Sequence, residues 1–303
     1  MRSLAAVELR RFLDRRLVRA MVGLIVLGIL IGGISMFARS HRESLSVLQA
    51  RARTQRQQQV DACAGGDFDI PPKAIPPGET LRQFCEQAVE INPEDKRFRM
   101  VSETDGFKGT AVPLVLAFLV LSASFIGAEW GAGTITTLLT WEPRRIRALA
   151  AKAIVCTTLA FVGTLLFQAL LFVALLPAAV FRGTTAGVDG AWLVGLAGVV
   201  VRGGVLAAIG GAIGFSVAAI ARSTAASLGA GFAYLVLLEN LVGALRPGWR
   251  SWFITSNAIV FINGHTLSEL VPRSVVEAAA LLALYAIGAL AAASVTFARR
   301  DVT

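Results

Sequence analysis

The chain is short of charge and short of the residues that do chemistry. Only 16% of its 303 residues are charged and 55% are hydrophobic, whereas a soluble globular domain carries about 25% charged residues. There are two histidines, His41 and His265, and three cysteines. No apolar stretch long enough to span a membrane contains Asp or His. That absence excludes a His-Glu-x-x-His zinc motif, an aspartate pair and a Ser–His pair at membrane depth, and argues against an intramembrane protease or hydrolase. No Gly-x-x-x-x-Gly-Lys-Ser/Thr phosphate loop occurs, so a nucleotide used in any cycle must bind another chain. The sequence therefore predicts no catalytic residue, no metal site and no cofactor held by this chain.

What is present is a series of uncharged runs. About 20 apolar residues cross about 30 Å of hydrocarbon as a helix, and six stretches qualify: Ala20–Ala38, Gly109–Ala128, Ala153–Leu176, Gly203–Ala221, Ser223–Leu245 and Ala278–Ala298. Pro113 sits near the start of the second, where a helix tolerates it, and Pro177 is expected to stop the third. The formal net charge of +9 would fit nucleic acid, but cytoplasmic loops of membrane proteins collect Arg and Lys, and nucleic acid is not an expected partner. With the N-terminus inside, the inner segments hold Arg2, Arg10, Arg11, Arg15, Arg16, Arg19, Arg144, Arg145, Arg147, Lys152, Arg222, Arg299 and Arg300. The short outer segments hold only Arg182, Arg202, Arg246, Arg250 and Arg273. Both termini are then cytoplasmic. Trp130 and Trp141 fall at the inner level and Trp192, Trp249 and Trp252 at the outer, as interfacial tryptophans should.

Residues 1–19 form a basic amphipathic segment, with Leu4, Val7, Phe12, Leu13 and Leu17 on one stripe against Arg10, Arg11, Arg15 and Arg16. It suits a helix lying in the interface or an extension of the first span. Residues 39–108 form a long loop with eleven Lys/Arg and eleven Asp/Glu, too long for the positive-inside rule to govern. Within it a helix is expected over Ser44–Val60 and a second over Thr80–Glu90, capped by Thr80 with Gln83. Cys63 and Cys85 pair if they face an oxidising outside, stabilising the loop by roughly 3 kcal/mol on chain-entropy grounds; two thiols without a nearby His make a poor metal site. Cys156 reads as a buried apolar residue. Residues 246–274 are too polar to span and read as short outer-face helices dipping part-way in, or as a plain loop.

The loop after the second span is the most informative. It contains Glu129, Gly133, Thr134, Leu138, Leu139, Pro143, Arg144 and Arg145, and Lys152 opens the next span. This resembles the signature of ABC-2-type permeases, the membrane subunits of bacterial ABC exporters: Glu, Gly-Thr, Leu-Leu, Pro-x-x-Arg, then Lys. Arg222-Ser223 between the fourth and fifth spans is similar to the family as well. The resemblance implies a coupling helix over residues 129–147 that docks on a separate ABC ATPase subunit carrying ATP and Mg, and a second permease copy, identical or paralogous. The long first outer loop departs from many members.

The expected fold class is an all-α membrane protein: six transmembrane helices, an N-terminal amphipathic interfacial helix, a cytoplasmic coupling helix and a long extracellular loop, in a bacterial plasma membrane. The expected function is ATP-driven export of a lipophilic or amphipathic substrate; a sodium-type ion exporter and a non-transporting scaffold or sensor built on the outer loop are the alternatives. Polar residues in the spans are few. Gln168 is expected near mid-membrane, and Glu239 and Asn240 in the outer half of the fifth span, as a possible substrate path. Glu239 either pairs with Arg202 or Arg246 or contacts a ligand. Gly28-x-x-x-Gly32 and Gly210-x-x-x-Gly214 permit close helix approach, within a subunit or between subunits.

Overall fold

The computed structural model describes residues 2–40, 45–65, 76, 80–89, 98–134, 144–266 and 271–299. Among them it is helical without strands; an isolated bridge joins Arg99 and Thr184. The helices are α1 (Arg2–Leu13), α2 (Arg16–Arg39), α3 (Leu45–Ala64), α4 (Leu81–Ala88), α5 (Thr104–Gly131) and α6 (Arg145–Pro177). Then come α7 (Gly190–Ala221), α8 (Thr224–Leu245), α9 (Ile254–Asn263) and α10 (Val275–Arg299). Six of these, α2, α5, α6, α7, α8 and α10, are long and apolar enough to cross a membrane, as expected of a multi-pass membrane protein. A lipid-exposed backbone must satisfy its own polar groups, which is why uncharged runs fold as unbroken helices.

The centre is the pair α5 and α7. Their contacts rise in step along both helices: a Cβ at Gly203 would stand 3.3 Å from the Ala111 methyl, one at Gly210 2.8 Å from Val115 Cγ1, and one at Gly214 2.6 Å from the Leu119 carbonyl oxygen. The two helices therefore run parallel and touch backbone to side chain, which only residues without a Cβ permit. The Gly210/Gly214 pair is thus used within the subunit. Gly28 and Gly32 of α2, by contrast, have no neighbour within 4 Å of where a Cβ would stand. Two apolar clusters fill the bundle. One, around Phe12, Phe125, Phe215 and Phe297, lies at the end where the chain begins; the other, around Met100, Phe107, Leu196 and Leu282, lies at the opposite end.

The helix ends follow from local chemistry. Asp189 caps α7, its side chain accepting from the Trp192 N–H at 2.8 Å, and Ser223 caps α8 by accepting from the Ala226 N–H. Arg222, between α7 and α8, adopts a left-handed φ of 55°. That conformation is costly for a residue with a Cβ, and its guanidinium is anchored 4.5 Å over the Trp130 ring. The two prolines sit differently. α6 ends as an α-helix at Pro177, as expected, although a π-helical turn, Ala178–Arg182, continues it. α5 begins at Thr104, so Pro113 lies inside the helix and not near its start, where packing against neighbouring helices outweighs one lost hydrogen bond.

At the far end α3 and α4 form a separate hairpin closed by the Cys63–Cys85 disulfide. Val60, Cys63 and Cys85 are its small core. Arg56 donates to the Glu86 and Val89 carbonyls at the end of α4, at 2.7 and 3.1 Å. Thr80 and Gln83 form the expected capping box.

Candidate functional site

The first site forms where α1, α5 and α6 meet. Lys152 of α6 is 2% exposed and Glu8 of α1 1% exposed. The Lys152 ammonium donates to Glu8 Oε2 at 2.6 Å and to Glu129 at 2.9 Å. Arg15, between α1 and α2, adds a second cation: Nη2 is 3.7 Å from Glu129 Oε1, and Nη1 donates to the Ser124 carbonyl at 2.9 Å. Both cations lie over the Phe125 ring, at 4.8 and 4.9 Å from its centre, and Phe12 packs against the same ring. Arg11 on the solvent side adds a third cation, its Nη1 3.5 Å from Glu8 Oε1, so two buried carboxylates are met by the buried Lys152, the partly buried Arg15 and the exposed Arg11. Burial holds the Arg15 guanidinium below its ordinary value, opposed by the Glu129 charge and, more weakly, that of Glu8.

Glu129 and Lys152 stand at the two ends of the loop that carries the sequence signature, so their ion pair ties its base. Beyond Glu129 the chain leaves α5 through Gly133, whose φ of 68° suits glycine, and the Thr134 hydroxyl donates to the Glu129 carbonyl at 3.3 Å. Arg144, which is exposed, and Arg145 open α6. Leu138, Leu139, Trp141 and Pro143, and with them the expected coupling helix, lie outside the described residues.

Glu8 escaped the sequence reading. The stripe expected along the N-terminal segment also divides differently: Phe12 is 2% exposed, but Val7, Leu13 and Leu17 are between 41% and 48% exposed. The inward face of α1 is the half-buried Leu4 and the buried Glu8 and Phe12, one turn apart. An acid at the centre of an apolar i, i+4 series was the available signal, because a buried carboxylate requires a partner.

The second site lies toward the opposite end. Glu239 of α8 is 8% exposed, and its Oε1 accepts from the Thr255 N–H at 3.2 Å, in the first turn of α9. Among the described residues it forms no ion pair, with Arg202, Arg246 or any other cation. Arg202 instead lies at the other end of α9, where a Cβ on Gly264 would stand 3.0 Å from its Cζ. A carboxylate at the N-terminus and a guanidinium at the C-terminus both suit the dipole of this ten-residue helix. Beside Glu239 is a cavity of about 480 Å³ lined by Leu235, Asn240, Arg250, Phe253 and Thr255 among others. The backbone of α8 widens into a π-helical turn, Ala233–Leu238, just before Glu239. Asn240 Nδ2 donates to two carbonyls of that turn, those of Leu235 and Val236.

Gln168 joins neither site. Its Nε2 donates to the Phe107 carbonyl at 3.0 Å and to the Thr110 hydroxyl at 3.2 Å, pinning α6 to the first turns of α5. No group of three or more His, Cys, Asp or Glu among the described residues is placed to hold a metal ion. Compared with models of known families, with curated proteins and with solved structures, the chain matches none of them.

Proposed function

We propose that the chain is the membrane subunit of an ATP-driven exporter of the ABC-2 type, working with a separate ATPase and a second permease copy on an amphipathic substrate. The observation that carries this reading is the buried Glu8–Lys152–Glu129 bridge at the base of the loop with the family-like signature. In this reading α1 lies in the inner interface through its exposed Val7, Leu13 and Leu17. Residues 129–147 form the cytoplasmic coupling element, and the Cys63–Cys85 hairpin faces the outside. The ion bridge makes α1, the end of α5 and the start of α6 one rigid unit. ATPase closure pushing on the loop then moves all three together instead of bending the loop. Of the six spans α2 and α8 are the most open to lipid or to a second copy, with only 6% and 11% of their apolar stretches buried.

The test is recovery of the tagged chain in mild detergent with nucleotide present, followed by mass spectrometry. The expected result is a stoichiometric soluble ATPase that is lost on Arg144→Glu, a change at an exposed position. Recovery of the chain alone across several detergents would sink the reading. It would favour the scaffold or sensor alternative, for which the disulfide-closed hairpin is the supporting feature.

A further inference from the structure

We infer that the cavity beside Glu239 binds the protonated amine of an amphipathic molecule whose apolar tail lies along the outer face of α8. It rests on the exporter reading only in calling that molecule a substrate; the binding itself needs no ATPase.

The charge balance points to a cation. Glu239 is buried at the cavity wall with neutral donors alone, the Thr255 N–H and the neighbouring Tyr234 hydroxyl, and no ion pair among the described residues. A carboxylate at this depth is stabilised far more by a charged donor than by a peptide N–H. Asn240 spends its amide N–H groups on the π-helical turn, so its oxygen is the atom left to face the cavity as an acceptor. The cavity therefore offers acceptors on the α8 side. Arg250 lies across Gly243, its Nε 3.6 Å from where a Cβ would stand, one turn along from Glu239. It gives the site polarity: amine toward Glu239, any hydroxyl or anionic group of the ligand toward Arg250.

The access route points to an amphiphile. Leu237, Leu238, Leu241 and Leu245, on the same helix, are between 46% and 70% exposed. An alkyl chain can lie on these side chains while its head group reaches the cavity. A small hydrophilic cation gains nothing from that surface, and an anionic amphiphile meets the Glu239 charge.

The experiment uses the purified full-length chain in nanodiscs of zwitterionic lipid. Energy transfer from tryptophan to a dansyl-tagged dodecylamine reports binding; the dansyl-tagged carboxylate of equal length is the control. The expected result is saturable amine binding, displaced by unlabelled dodecylamine, with the carboxylate at least tenfold weaker. Glu239→Gln should weaken the amine about tenfold, while Glu277→Gln, at an exposed acid on α10, should leave it unchanged. Should Glu239→Gln fail to fold, Ala244→Phe fills the cavity from an exposed position and should abolish binding. Equal binding of amine and carboxylate, or binding indifferent to both cavity variants, overturns the inference. Neither outcome bears on whether an ATPase copurifies, so the two readings fail separately.

Discussion

Glu129 and Glu239 are equally withdrawn from solvent, each 8% exposed, yet they are solved in opposite ways. Glu129 is met by two side-chain cations and shares one of them with Glu8, which Arg11 also meets, so both carboxylates are fully compensated. Glu239 is met only by neutral donors, a backbone N–H at a helix end and the Tyr234 hydroxyl, and an open cavity stands beside it. Burial alone therefore does not mark a functional acid. A saturated carboxylate holds helices in register; an under-saturated one beside a cavity keeps the capacity to bind.

The strongest way to break this contrast is Lys152→Met. It removes the shared, fully buried cation and leaves Glu8 and Glu129 facing each other with only the partly exposed Arg11 and Arg15 near. Losing one member of a buried ion group costs about 3–5 kcal/mol, and thermal unfolding in detergent should show a loss of that order. The same measurement on the triple variant Glu8→Gln, Glu129→Gln, Lys152→Met should recover part of it, because the one inner charge left, that of Arg15, is only partly buried and still donates to the Ser124 carbonyl. If the triple variant is as unstable as the single, the cluster matters through shape and not through charge.

Glu239→Gln sharpens the contrast from the other side. Glutamine keeps an oxygen that accepts from Thr255 and gives up only the attraction of the charge to the α9 dipole, typically about 0.3–1 kcal/mol. The expected loss of stability is therefore under about 1 kcal/mol. A loss as large as that of Lys152→Met would mean that Glu239 is as locked as Glu129, and the distinction between the two acids would fall.

The sequence made the collective features readable and hid the specific ones. Six spans were legible because hydropathy is a property of about 20 residues at once. The disulfide was legible because its two cysteines sit in one long loop, and the capping box because Thr80 and Gln83 have the required spacing. Pro177 marked the end of the α-helix but not the π-helical turn beyond it, and Pro113 proved internal to α5, since a local helix-breaking rule competes with packing that a single chain segment does not display. Half of the charge cluster was readable, Glu129 and Lys152, because both lie in the signature loop. Glu8 was not, because counting arginines in the N-terminal segment obscured the one acid on its apolar face. Glu239 is met by a backbone N–H supplied by α9 and by the Tyr234 hydroxyl one turn away, and no residue type announces the first of these.

The smallest effect expected is also the most diagnostic for the open site. Gly243 lies one turn beyond Glu239, and Gly28 lies on the open face of α2. Replacing a helical glycine by alanine stabilises by about 0.5–1 kcal/mol where space allows. Gly28→Ala should show that gain, because nothing stands within 4 Å of the new methyl. At Gly243 the methyl would lie 3.2 Å from Phe253 Cε2, and Phe253 is itself buried, directly ahead of the first turn of α9. Pushing that ring displaces the N–H groups that meet Glu239, an overpacking cost of about 1 kcal/mol or more. Gly243→Ala should therefore be neutral or mildly destabilising where Gly28→Ala is stabilising, in parallel melts in the same detergent. If both variants gain equally, Phe253 yields freely, α9 is not held against α8 at this point, and the cavity beside Glu239 has no fixed wall.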